Sequence, residues 1–153
     1  MSAETKLVEL GIDLPPAPPP MGVYKPIVVV GNVAYLSGHG PIQKDGSLSV
    51  GRVGQDMDLE GGYAAARLTG LALLATIREN LGSLDKVKRV VKTLGLVNST
   101  NDFLQQPQVI NGCSELFAEL YGDDRGVGTR SAIATNVLPG NIPVEIEMII
   151  EVE

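Results

Sequence analysis

From Leu59 to Leu81 apolar or small residues recur at three- and four-residue steps: Leu59, Tyr63, Ala66, Gly70, Leu73, Leu74, Ile77 and Leu81. That spacing lines one side of a helix. Asp56 or Asp58 offers the N-cap, and Gly82 is suited to close the far end. Val109, Ile110, Cys113, Leu116, Phe117 and Leu120 repeat the helical step between Pro107 and Tyr121, which Gly122 closes. Period-two or β-branched stretches predict strands at Tyr24 to Val30, Val33 to Ser37, Val87 to Val97, Thr129 to Val137 and Val144 to Val152. Gly31-Asn32 should supply positive backbone angles for a hairpin turn. Leu138-Pro139-Gly140-Asn141 breaks the last two strands apart. Lys44-Asp45-Gly46 reads as a turn and Gly51 to Gly54 as a loop. The predicted order β-β-α-β-α-β-β suggests one α+β domain, with both helices on one face of a single sheet.

Ahead of the first strand, Leu14 to Met21 holds five prolines in eight residues and can only be extended. Residues 1–17 therefore read as an arm and proline-rich linker, and 18–153 as the body. Thr5 to Leu10 could form one or two helical turns, but only if it docks on that body.

The last strand separates its faces clearly. Val144, Ile146, Met148, Ile150 and Val152 point one way, and Glu145, Glu147, Ile149, Glu151 and Glu153 the other. The apolar set belongs under the helices. In the preceding strand, Arg130 alternates with Ser131 and shares a face with the small residues Ala132 and Ala134. Were Arg130 and Glu145 neighbours on the uncovered face, beside Ile149, that face would be a subunit interface containing a pocket. Two plainer readings stand beside this: a simple cross-strand ion pair, or acidic protection of a sheet edge.

Composition narrows the function. No segment is apolar for long enough to cross a bilayer, and Met1 to Leu10 lacks the basic-then-apolar order of a secretory signal, so residence in the cytoplasm is expected. One cysteine, Cys113, and one histidine offer no internal disulfide and no zinc-ligand spacing; Cys113 reads as core. The net charge of -6 disfavours nucleic acid. Lys86, Lys88, Arg89 and Lys92 form the one basic run, and on a strand they alternate faces.

The stretch from Arg130 through Leu138-Pro139 to Val144-Glu145-Ile146-Glu147 resembles the C-terminal signature of the Rid (YjgF) family. Gly22-Val23-Tyr24, Leu36-Ser37-Gly38, and Asn101-Asp102-Phe103 followed by Val109-Ile110-Asn111 fall in the family's order. The likeness spans Pro18 to Glu153. It implies a chorismate-mutase-like fold of the bacillus type, with three sheets packed as a trimeric barrel and ligand clefts between subunits. It also implies hydrolysis of 2-imino acids to 2-keto acids and ammonia, without cofactor or metal. Arg130 would bind the carboxylate of the small-molecule substrate, and Glu145 would hold or activate water. Tyr24, Ser37, Gly38, Asn111 and Ala132 would complete the binding site. A glutamate beside Arg130 would tend to stay ionised.

The chain departs from the family's pattern in several places. Ala132 stands where the best known deaminases of the family carry cysteine. His39 stands where glutamine is frequent, and reads equally as a loop residue or a cleft residue. The arm and the glycine-rich stretch near Gly51 are further differences. Tyr24 could be a packing residue. A trimer that senses or carries a carboxylate metabolite is the main alternative function. Endoribonuclease activity, a name also used in the family, is disfavoured by the acidic composition.

Overall fold

The computed structural model describes residues 1–153. The elements are helix α1 (Ala3–Glu9), strands β1 (Ile27–Val30) and β2 (Val33–His39), helix α2 (Leu59–Leu81), strand β3 (Val87–Asn98), helices α3 (Gln106–Tyr121) and α4 (Asp123–Gly126), and strands β4 (Thr129–Thr135) and β5 (Val144–Val152). One five-stranded sheet has the order β1-β2-β5-β3-β4. β3 and β4 are parallel, joined through α3, and the other pairings are antiparallel. This α+β architecture is the expected one.

The caps explain the bounds of α2. Asp58 accepts a hydrogen bond from the Gly61 amide, and Gly82 takes the left-handed conformation at φ 86°. α1 starts two residues earlier than the pattern suggests because Ser2 caps it, accepting from the Thr5 amide. This helix is too short to stand alone. Ala3 and Leu7 are buried against the body, while Glu4 pairs with Arg78 and accepts the Leu84 amide at 2.9 Å.

Three strand details differ from expectation. β1 begins at Ile27 rather than Tyr24, because Pro26 has no N–H to give a ladder. β4 ends at Thr135 rather than Val137, since its partner β3 runs out at Asn98. In the first hairpin turn only Gly31 has a positive φ, 61°, which a type II′ turn requires at its first position alone.

α2 and α3 approach until their backbones touch. A Cβ on Gly112 would lie 2.1 Å from the Tyr63 carbonyl oxygen. Gly112→Ala is therefore expected to force the helices apart at a cost of about 1–3 kcal/mol, a drop of several degrees in thermal midpoint. An unchanged melting curve would show that the helices have room to spare.

Beneath them, Ile146, Met148 and Ile150 of β5 join Leu73, Ile110 and Phe117 in the core. The opposite sheet face has no covering element. The register places Val28, Tyr35, Ile149, Leu96 and Ile133 on it, together with Glu145. Tyr35 is 48% and Ile133 51% exposed, so this face offers water a broad apolar surface.

Candidate functional site

The first recess forms where β2 is irregular. Its pairing with β5 slips between Leu36 and His39, so the chain bulges at Ser37-Gly38 and re-aims the end of the strand. A Cβ on Gly38 would sit 2.9 Å from the carboxyl carbon of Glu145, so only glycine leaves that carboxyl its place. Tyr24, Ser37, Gly38, His39, Glu145 and Glu147 line a recess of about 540 Å3, with Pro18 to Met21, the stretch that follows the arm, forming one wall. Ser37 Oγ donates to the Lys25 carbonyl at 2.7 Å, and Tyr24 Oη accepts the Met21 amide at 3.1 Å. These bonds pin that stretch at the rim.

Glu145 is half-buried and has no ion-pair partner. Desolvation raises its pKa above the ordinary carboxylate value, and the like charge of Glu147 raises it further. Arg130 plays no part in this shift, contrary to expectation.

His39 sits at the end of β2 and is 5% exposed. Nδ1 lies 2.6 Å from the Ser37 carbonyl, which can only accept, so Nδ1 carries the proton. Nε2 then accepts from Thr76 Oγ1 at 2.7 Å. Burial lowers its pKa, which keeps the ring neutral. The imidazole ties β2 to α2 behind the recess.

Arg130 lies elsewhere. β4 pairs Arg130 with Thr93, and Thr93 pairs in turn with Met148, whose side chain belongs to the core. The guanidinium therefore projects toward the helices, while Glu145 is on the uncovered face. Within one protomer the two do not meet, which corrects the expectation that they share a face. Ala132 and Ala134 share the side of Arg130; Ser131, Ile133 and Thr135 take the open side.

On the helix side Arg130 Nη1 donates to Asn111 Oδ1 at 2.7 Å and to Ser114 Oγ at 3.2 Å. Residues 111 and 114 are one turn apart on α3 and so face the strand together. Arg130 has no carboxylate partner, and Nη2 and Nε have no protein acceptor. A second recess of about 260 Å3, floored by Thr93 and Met148, lies beside it. The arrangement fits an anion: a fixed fork, two neutral braces and an unused edge. Ala132 lines neither recess and is packed against the core. Cys113, also near Arg130, is wholly buried with its thiol pushed up to about 12, as a core residue would be. Ser114 escaped the sequence reading, although its i+3 spacing from Asn111 was a usable signal.

Residues 4–152 match the family described as "YjgF/chorismate mutase-like, putative endoribonuclease". The protein TCP17 of Trypanosoma cruzi is 36% identical over 145 residues, covering 95% of this chain and 91% of its own. Among solved structures, Atu1372 of Agrobacterium tumefaciens, of unknown function, superposes with a TM-score of 0.88 at 37% identity, over 99% of this chain and 94% of that one. RidA from an Antarctic Psychrobacter aligns with a TM-score of 0.63 at 26% identity, over 89% and 94%.

Proposed function

Because this chain belongs to the YjgF/chorismate-mutase-like family, we propose that it hydrolyses 2-imino acids to 2-keto acids and ammonia, in sites that two neighbouring protomers complete. The observation that carries this reading is Arg130: a guanidinium held by neutral partners beside an open recess, with no carboxylate of its own protomer to neutralise it. A substrate carboxylate is the natural partner.

The oligomer we propose is a homotrimer in which the uncovered apolar faces pack together. Two features support it. That face leaves Val28, Tyr35 and Ile133 exposed beside its acids, and the anion-binding half-site and the acid-base half-site are separate in one protomer. Rotational symmetry can set the Arg130 recess of one protomer against the Glu145 recess of the next.

With the carboxylate on Arg130, the substrate C2 is presented to a water held at Glu145. Oxygen bonds to C2 as Glu145 takes one proton from the water and passes it to the imine nitrogen, giving a carbinolamine. Glu145 then takes the proton of the new hydroxyl and gives it to the nitrogen as the C–N bond breaks, so the C2 oxygen becomes the keto oxygen and ammonia leaves. A carboxyl raised above its ordinary pKa suits both transfers better than a free one. This favours catalysis over mere binding of a carboxylate metabolite. The ribonuclease activity in the family's description fits less well: Glu145 and Glu147 lie in the recess, no lysine or arginine lines it, and a polyanion would be repelled.

The test couples purified protein to an amino acid oxidase that generates imines, and monitors keto acid release. Acceleration over the spontaneous rate is expected. Release at the spontaneous rate across a range of imines would overturn the reading.

A further inference from the structure

The wall of the Glu145 recess carries information about the substrate's side chain. Its apolar part is built from Met21, Ile42, Leu48, Ile142 and Pro18 to Pro20, beside the neutral polar groups of Tyr24, Ser37 and His39. Ile142 and Leu48 converge over Gly40, where a Cβ would lie 3.1 Å from Ile142 Cδ1 and 3.4 Å from Leu48 Cδ2. Ile42 and Ile142 are buried, whereas Leu48 keeps 38% of its surface open. The one charge in the wall besides Glu145 is Glu147, which is exposed and negative.

We infer that this enclosure selects 2-imino acids with large neutral apolar side chains, of the kind derived from leucine, methionine or phenylalanine, and rejects those with an anionic side chain. The inference rests on the imine-hydrolysis reading and adds the substrate class to it. An apolar side chain entering the recess leaves water for Leu48, Ile142 and the proline wall. A second carboxylate would enter between two like charges with no cation to receive it. The stretch Pro18 to Met21 is then part of the specificity apparatus. Anchored through the arm by Leu7 and the Glu4–Arg78 pair, and pinned by the Tyr24–Met21 bond, it forms one wall of the recess.

The experiment measures kcat/KM on imines made in place from leucine, alanine and glutamate, with the full-length protein. The leucine-derived imine should exceed the alanine-derived one by about tenfold or more, the scale that a few methylenes in an apolar pocket allow. The glutamate-derived imine should fall about tenfold or more below the leucine-derived one. Leu48→Ala should narrow the leucine-to-alanine ratio. Glu147→Lys should raise the glutamate-to-leucine ratio; a ratio cancels any common effect of the lysine on Glu145. Acceleration of all three imines alike, or ratios that neither variant moves, would overturn this inference and leave the hydrolase reading standing. No acceleration of any imine would remove the hydrolase reading, and this inference with it.

Discussion

Arg130→Lys is expected to lower kcat/KM for imine hydrolysis on the order of 10²-fold, and Arg130→Ala on the order of 10³-fold. Lysine keeps the charge but not the fork. In the native site Nη1 is held by Asn111 and Ser114, which leaves the Nη2–Nε edge to receive both oxygens of a carboxylate in one plane. An ammonium can bind either oxygen but cannot fix the plane, so C2 would lose its register with the water at Glu145. The loss should appear in KM, because the carboxylate contact exists before and during the reaction, and also in kcat through misplacement. Folding should be spared, since Arg130 makes no ion pair and its two partners are not wholly buried. Steady-state kinetics with a thermal melt checks both parts; a lysine variant within a factor of two of wild type would contradict the role.

Glu145→Gln should remove turnover by about 10²- to 10⁴-fold while leaving keto acid affinity nearly unchanged. It carries a second signature that a merely structural residue would not show. The folded-state pKa of Glu145 is raised, by desolvation first and by Glu147 second. A carboxyl so shifted contributes stability below its unfolded pKa, and that contribution is lost as pH rises through the folded value. At neutral pH the ionised group is a net cost. Glutamine, isosteric and uncharged, should therefore melt at the same temperature as wild type or higher near pH 7, and the advantage should shrink as pH falls toward the ordinary carboxylate range. The wild-type rate should decline with acid at a pH above that range. A glutamine variant that is less stable at pH 7, or fully active, would contradict the assignment.

Much of this could be read from the residues. The three- and four-residue repeat of α2, its Asp58 and Gly82 caps, and the alternation of β5 are each local properties, so the elements and the covered face of β5 were legible. The orientation of β4 was not. Its alternation divides Arg130, Ala132 and Ala134 from Ser131, Ile133 and Thr135, but both sets are mixed, and nothing local says which lies under helices. That is settled by β3, which pairs Thr93 with both Arg130 and Met148. The raised pKa of Glu145 was hidden in its larger part, because the desolvation that comes first among its causes exists only in the folded chain, although Glu147 two residues on was in view. The expectation that Arg130 would tune Glu145 failed because the two were placed on one face. The separation bears on function, since it turns one supposed site into two half-sites.

Mixing two inactive variants tests the shared site most directly. Arg130→Ala retains Glu145, and Glu145→Gln retains Arg130, so on the proposed shared-site reading neither variant alone has a complete site. If subunits are exchanged at random in equal amounts, each interface joins an intact Arg130 to an intact Glu145 in about one case in four. Co-expressed chains should then recover about a quarter of wild-type activity. Activity no greater than the sum of the two parent variants would show that Arg130 and Glu145 do not meet across a protomer boundary.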